Sequence, residues 1–166
     1  TEKILRHRHI IDSAQIIDFI DKNEKICSDI GSGPGLPGIV LAIIMKHKKI
    51  SMKFNLYEKS FRKTEFLNEV INKFNLNAEV FQKNIFEEKN LVTGTLVSRA
   101  FKPLPTILDL VNNNFKKSNS IILFLGKSGK EHLLKCRGTW NFEYKEKKSL
   151  TNPESKIIKI YNLKRK

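Results

Sequence analysis

The chain has 166 residues, a length that suits one compact domain, and its 40% hydrophobic content is enough to build one core. No apolar run approaches the roughly 18 residues that cross a membrane, and no signal-peptide pattern is visible at the N-terminus. The net charge is +14: residues 1–100 carry 16 basic and 12 acidic side chains, whereas residues 101–166 carry 15 and 5. This basic half favours a polyanion such as nucleic acid, and the alternative is a Lys-rich surface without a partner.

Two cysteines, Cys27 and Cys136, lie far apart in the sequence. Such a pair makes neither a disulfide framework nor a zinc site. We therefore expect reduced thiols, no bound metal and a cytoplasmic protein.

The first part of the chain alternates between helical and strand spacing. We predict a helix at 9–22, a strand at 25–30, a glycine-rich turn at 31–38 that runs into a helix at 36–46, a strand at 53–57 and a helix at 61–74. The apolar side of the first helix is expected to contain Ile10, Ile16, Ile17 and Ile20. That of the 61–74 helix is expected to contain Phe61, Phe66, Leu67, Val70 and Phe74.

The second part continues with strands at 78–82 and 94–98, a helix at 104–114, a strand at 121–125, a helix at 131–136, and strands at 140–146 and 156–162. The last two strands read as an antiparallel pair, because their apolar and polar residues alternate. The fold class is therefore α/β, a doubly wound and mostly parallel seven-stranded sheet with an antiparallel C-terminal edge. We expect a single domain over 1–166, with 1–24 as a helical lead-in.

The glycine-rich turn DIGSGPGLPG, at 29–38, leaves a predicted strand and enters a helix. Glycines let the backbone approach a ligand closely, and the helix start offers free N–H groups. Residues 33–38 also fit the dinucleotide pattern G-x-G-x-x-G, and Glu58 at the end of the second strand can accept hydrogen bonds from ribose hydroxyls. A purely structural turn without a cofactor remains the alternative.

Two features favour S-adenosylmethionine over a nicotinamide cofactor. Asp29 lies before the first glycine, where it can organise the turn or meet the cationic amino-acid group, and the antiparallel strand pair is foreign to the usual dinucleotide fold. No Tyr-x-x-x-Lys pair of the kind used in hydride transfer is present. The residues thus predict a class I S-adenosylmethionine-dependent methyltransferase with a Rossmann-like fold.

Three segments carry a family resemblance: RHIIDS at 8–13, DIGSGPGLPGIVLAI at 29–43 and SRAF at 98–101. In order and spacing they resemble the RsmG family, also called glucose-inhibited division protein B, over residues 6–163. The resemblance implies methyl transfer from S-adenosylmethionine to N7 of one guanosine in bacterial 16S ribosomal RNA. The partner would be that RNA or the small ribosomal subunit, and we expect a monomer.

The resemblance also implies roles for single residues. The cofactor-binding positions are Asp29, Gly31, Gly33, Gly35, Leu36, Glu58, Ile85, Phe86 and Arg99. Among them Ile85 and Phe86 match the loop over the adenine, and Arg99 matches an arginine beside the methyl acceptor. The expected RNA contacts are Arg8, His9, Lys102 and Lys127, the last in LGKSGK where the family usually has Lys-Gly. Family members usually carry a longer helical segment before RHIIDS, so this one is either trimmed or naturally short.

Guanine N7 has a free lone pair, so its methylation needs no base, and catalysis can rest on proximity and alignment. We therefore expect Arg99 to position the acceptor or the cofactor; pairing with a nearby acid is the alternative. Asp12 either holds the glycine turn or caps its helix, and we expect Trp140 in the core rather than in a base-stacking platform. Other possible functions are methylation of another RNA or of a protein, and RNA binding without catalysis.

Overall fold

The structure, a computed structural model, describes residues 2–166, and of residues 2, 3 and 5 only the backbone. Its elements in chain order are α1 (Glu2–Ala14), a 3-10 helix (Gln15–Phe19), β1 (Ile26–Ile30), α2 (Gly38–His47), β2 (Lys53–Glu58), α3 (Phe61–Phe74), β3 (Ala78–Gln82), β4 (Leu91–Ser98), α4 (Leu104–Asn114), β5 (Phe115–Leu125), α5 (Gly129–Cys136), β6 (Trp140–Lys148) and β7 (Lys156–Arg165). This order confirms the predicted succession of helices and strands.

The strands form one seven-stranded sheet in the order β3-β2-β1-β4-β5-β7-β6. Strands β1 to β5 are parallel, and β7 runs antiparallel to both β5 and β6. The predicted fold class is thereby confirmed. The chain order reverses between β1 and β4, and in open α/β sheets ligands bind beyond the carboxyl ends of the strands at such a point.

Helices cover both faces of the sheet. On one face, α4 and α5 bury Leu108 and Leu133 against strand residues such as Leu96. On the other face, α2 and α3 bury Leu41 and Leu67, together with Ile16 of the 3-10 helix and Ile20 just beyond it. Full burial of each such side chain contributes about 2 kcal/mol to the free energy of folding. This packing holds the parallel strands in place, and the site lies at their ends.

The predicted helix at 9–22 is wrong in its bounds. The α-helix begins at Glu2 and ends at Ala14, and the 3-10 helix follows it. Residues 6–9 of the α-helix are polar and exposed, so they carry no apolar periodicity, and Ile10 is 52% exposed rather than buried. Ile16 and Ile20 are buried as predicted.

The predicted apolar side of α3 is also wrong in part. Phe61, Phe66 and Phe74 are 59%, 49% and 48% exposed. The buried positions of this helix are Thr64, Leu67 and Ile71, which are three and four residues apart and face the sheet.

Several local expectations hold. Trp140 is 2% exposed, which confirms core packing, and Cys27 and Cys136 are both buried free thiols.

Strands β4 and β5 begin earlier than predicted, at Leu91 and Phe115. Within residues 2–166, no helix is long and apolar enough to cross a membrane.

Candidate active site

The glycine-rich turn leaves β1 at the switch point of the sheet. Gly31, Gly33 and Gly35 have φ angles of +68°, +54° and +90°, a backbone region that side chains disfavour. The N–H groups of Gly31 and Ser32 both donate to the carbonyl oxygen of Tyr57 at 3.0 Å. The turn is thus fastened to the end of β2.

Two carboxylates hold the turn from opposite sides. Asp29 Oδ2 accepts the N–H of Gly38 at 2.9 Å, where α2 begins. Glu58 Oε2 accepts the N–H of Gly33 at 3.0 Å, and its Oε1 accepts the N–H of Ser60 at 2.8 Å. Of the two roles left open for Asp29, this contact supports organisation of the turn.

Asp29 is fully buried, and burial raises the pKa of its carboxyl group to about 7, against the N–H of Gly38, which lowers it. Its Oδ1 atom is buried without a hydrogen-bond partner in the described part of the chain. A buried carboxyl group with one unmet oxygen favours the protonated form, because the charged form loses its hydration.

A cavity of about 410 Å³ opens beside the turn, a size typical of small-ligand sites. It lies at the carboxyl ends of β1, β2 and β4. Its lining comprises Gly31, Ser32, Gly33, Pro34, Leu36, Tyr57, Glu58, Lys59, Lys63, Lys83, Asn84, Ile85, Arg99, Ala100 and Phe101. The structure thus brings six of the sequence-predicted cofactor residues to one surface: Gly31, Gly33, Leu36, Glu58, Ile85 and Arg99.

The other three predicted cofactor residues lie around this cavity rather than in its lining. Asp29 and Gly35 stand behind the turn, where Gly35 is so close to the side chains of Ile39 and Leu67 that a Cβ atom would clash. Phe86 is 37% exposed, and its ring stacks on that of Phe101 with 6.0 Å between centroids.

The loop that carries Ile85 is fastened by a residue that the sequence did not indicate. Asn114, buried at the end of α4, donates its Nδ2 to the carbonyl oxygens of Ile85, Phe86 and Glu88, at 3.1, 3.0 and 2.6 Å. One side chain thereby fixes the wall of the cavity that the resemblance assigns to the adenine.

Arg99 follows β4 directly and lines the cavity. Its Nη1 atom is 3.9 Å from Asp12 Oδ2, and its side chain is 18% exposed. Burial lowers the pKa of Arg99, and the neighbouring Asp12 raises it. The pairing with an acid, which was the alternative role for Arg99, is therefore present with Asp12. The guanidinium group of Arg99 still belongs to a residue that lines the cavity.

Asp12 performs neither of the two roles predicted for it. Its Oδ1 atom accepts hydrogen bonds from Gln15 Nε2 at 2.9 Å, from Thr151 Oγ1 and from Ser149 Oγ at 3.4 Å. Gln15 in turn accepts the N–H of Leu150 at 2.9 Å. The group therefore ties α1 to the β6–β7 turn, across more than 130 residues of sequence.

A second cavity of about 480 Å³ adjoins the first and shares Arg99 and Ala100 with it. Arg8 and His9, two of the predicted RNA contacts, also line it. Of the other two, Lys102 has its Nζ atom 6.0 Å from the centroid of the Phe86 ring, near the first cavity. Lys127 is 85% exposed and lies 3.4 Å from Glu154, outside both linings.

The donor set of the first cavity fits an adenosyl group. Each oxygen of Glu58 accepts one N–H and keeps a lone pair, so the carboxylate can accept both hydroxyls of a ribose. Ile85 is 3% exposed and lies on the wall with Phe101, which gives a planar base an apolar surface. At Gly33 a Cβ atom would meet only the carbonyl oxygen of Gly31, at 3.9 Å, so this part of the turn leaves room for a charged amino-acid group.

Solved structures share this fold. M. capricolum TrmK in complex with S-adenosyl-homocysteine has a TM-score of 0.67 at 16% identity, over 90% of this chain and 66% of that chain. M. jannaschii TYW2 in complex with AdoMet has a TM-score of 0.66 at 16% identity, over 96% and 77%. Together, the sheet order and the carboxyl-edge cavity define a class I S-adenosylmethionine-dependent methyltransferase.

Sequence comparison identifies the family. Residues 1–161 match the family model described as GidB, rRNA small subunit methyltransferase G. The ribosomal RNA small subunit methyltransferase G of Pelagibacter ubique is 48% identical over 164 residues, which cover 99% of this chain and 77% of that protein. Its counterpart from Rickettsia felis is 34% identical over 156 residues, 94% and 78% of the two chains. The chain belongs to the rRNA small subunit methyltransferase G family, which confirms the resemblance and the enzyme class drawn from the sequence.

Proposed function

We propose that this protein transfers the methyl group of S-adenosylmethionine to N7 of a guanosine in bacterial 16S ribosomal RNA. The family match over nearly the whole chain carries this proposal, and the cavity at the switch point of the sheet supports it. The acceptor is the RNA alone or within the small ribosomal subunit. We further propose a single methyltransferase domain that acts as a monomer in the cytoplasm.

The first cavity is proposed as the cofactor site. Glu58 accepts the ribose hydroxyls through its two free lone pairs, and Ile85 and Phe86 contact the adenine. The turn at Gly31, Gly33 and Leu36 contacts the amino-acid group, while Asp29 and Gly35 keep its shape from behind. When bound, the cofactor supplies an electrophilic methyl group on a sulfonium.

The residues of the chain then have to align the acceptor with the methyl group, and none of them has to remove a proton. The lone pair of N7 forms the new bond to the methyl carbon as the carbon–sulfur bond breaks. The electron pair of the broken bond stays on sulfur. No proton leaves, so proximity and orientation supply most of the acceleration. Arg99, between the two cavities, is proposed to position the acceptor through its planar set of N–H donors.

The basic surface is proposed to bind phosphates. Arg8, His9, Lys102 and Lys127 would neutralise the RNA backbone, so affinity should fall as salt rises. Such contacts hold the RNA in place, and the choice of base depends on the site itself.

The test is incubation of the protein with unmodified small ribosomal subunits, or with their naked 16S RNA, and methyl-labelled S-adenosylmethionine. Digestion to nucleosides should place the label in N7-methylguanosine. Label in another nucleoside, or in an amino acid, would contradict the proposed acceptor. Steep salt-dependent RNA binding without any transferred label would instead favour a non-catalytic RNA-binding relative.

A further inference from the structure

The second cavity has the position that an acceptor site requires. It lies across Arg99 and Ala100 from the first cavity, at the same carboxyl edge of the sheet. Phe124 and Leu125, at the end of β5, supply an apolar surface, and polar groups surround it. The polar lining is formed by Arg8, His9, Asp12, Ser149, Asn152 and Ser155. An apolar surface with a few polar groups is what binds and orients a flat heterocycle.

The wall of this cavity is tied together by the Asp12 carboxylate. Asp12 Oδ1 accepts hydrogen bonds from the hydroxyl groups of Ser149 and Thr151 in the β6–β7 turn. Its Oδ2 atom lies 3.9 Å from Arg99 Nη1. Three of the four segments that line the cavity, α1, the end of β4 and the β6–β7 turn, thus meet at this side chain, which is itself only 16% exposed. A site held in this way is formed before any ligand arrives.

We propose that the second cavity receives the acceptor guanine, turned out of its RNA strand, and that Asp12 positions Arg99 between base and cofactor. This inference rests on the proposed function. A base in a helix cannot enter a protein cavity without leaving its stack, so it must be extruded or already single-stranded.

The shared wall fixes how the base enters. The edge that carries N7 and O6 must face Arg99, because the cofactor cavity lies beyond that residue. Arg99 then donates to O6, and N7 presents its lone pair towards the first cavity. The opposite edge of the base points to the polar groups of the β6–β7 turn, Asn152 and Ser155. Arg8, an exposed residue of the cavity lining, is placed to meet a flanking phosphate.

The chain offers a position for filling this cavity without disturbing the first. Gly126 lines the second cavity, and a Cβ atom there would meet nothing within 4 Å. Gly126→Phe therefore places a ring in open space, and Gly126→Ala is the matched control. Gly126 also borders a smaller cavity beside α5, so a ring at this position has two places to go. Ser155→Phe is therefore a second variant, which places a ring in the second cavity from the β6–β7 turn, and Ser155→Ala is its control.

The experiment measures S-adenosylhomocysteine affinity by calorimetry and methylation kinetics on unmodified small subunits for all four variants. We expect the two Phe variants to lose about tenfold or more in kcat/KM while their cofactor-product affinity stays within about twofold of wild type. Each Ala variant should keep more kcat/KM than the Phe variant at the same position, because a methyl group fills less of the cavity than a ring does.

Two results would overturn the assignment of this cavity. One is normal methylation by both Phe variants, and the other is a parallel loss of S-adenosylhomocysteine affinity, which would make the two cavities one cofactor site. Retained S-adenosylhomocysteine affinity also shows that a variant has folded. Failure of the wild-type protein to methylate would instead contradict the proposed function, so the two failures are distinguishable.

Discussion

Gly31 and Phe101 lie so close that a Cβ atom on Gly31 would overlap the aromatic ring. The glycine therefore lets the ring of the SRAF segment pack directly on the backbone of the turn. Its φ of +68° adds a second reason for glycine.

Gly31→Ala should consequently destabilise the protein by about 2–4 kcal/mol, from backbone strain and overpacking together. It should also weaken S-adenosylhomocysteine binding, since the turn or the ring must move. Chemical denaturation and calorimetry measure the two effects. Gly126→Ala, where the added methyl group meets open space, is the control, and equal stability of both variants would refute the packing argument.

Glu58→Gln should lower S-adenosylhomocysteine affinity about tenfold. Both carboxylate oxygens accept backbone N–H groups, so either orientation of the amide sets its NH₂ group against a donor. Glu79→Gln, at a carboxylate that is 51% exposed and pairs with Lys53, is the control for loss of charge. Unchanged affinity in the Glu58 variant would show that this carboxylate does not hold the ribose.

Asn114→Ala should reduce stability by about 2 kcal/mol and weaken cofactor-product binding, because three carbonyl groups of the loop at Ile85 lose their donor. The exposed side chain of Asn113, on the same helix, accepts a hydrogen bond from its neighbour Asn112, so Asn113→Ala is the matched control. Thermal unfolding with and without S-adenosylhomocysteine measures both effects. A variant as stable as the control, with the same ligand-induced shift, would mean that the loop is held by other contacts.

Asp29 should make stability depend on pH in a defined direction. Its folded-state pKa of about 7 lies above the ordinary value of 3.8, so the folded protein binds this proton more tightly than the unfolded chain does. The resulting stabilisation is complete below the ordinary value and is lost as pH rises through the folded-state pKa. Relative to Asp29→Asn, which cannot ionise, the wild type should lose up to about 4 kcal/mol across this window. Parallel pH profiles of the two unfolding free energies would contradict this.

Arg99→Lys should cut kcat/KM for the RNA by about tenfold or more, because lysine keeps the charge but lacks the planar pair of donors. Arg62→Lys, on the exposed surface of α3, is the control. If Arg99→Lys and Arg99→Ala both retained normal turnover and cofactor affinity, the positioning role would be wrong.

The parts of the site that the sequence predicted are those made by local segments. The glycine turn and Glu58 each follow directly from a strand end, so strand order alone brings them together. The loop at Ile85, which the family resemblance assigns to the adenine, lies in the wall of the same cavity.

Asp12 and Asn114 were not predictable in this way. Thr151 is 139 residues from Asp12, and the carbonyl groups that Asn114 holds are 26 to 29 residues away from it. Polar residues of this kind look like ordinary helix-end positions until tertiary packing is known. The exposed face of α3 is missed for the same reason, since only the sheet decides which of its apolar side chains are covered.

The cavity between the glycine turn and Arg99 is proposed to bind the cofactor. The most direct measurement is a crystal structure of the protein with S-adenosylhomocysteine. We predict the nucleoside in this cavity, with its ribose hydroxyls on Glu58 and its sulfur towards Arg99. A ligand bound elsewhere, or a cavity filled by the protein's own side chains while the ligand is bound, would contradict the account.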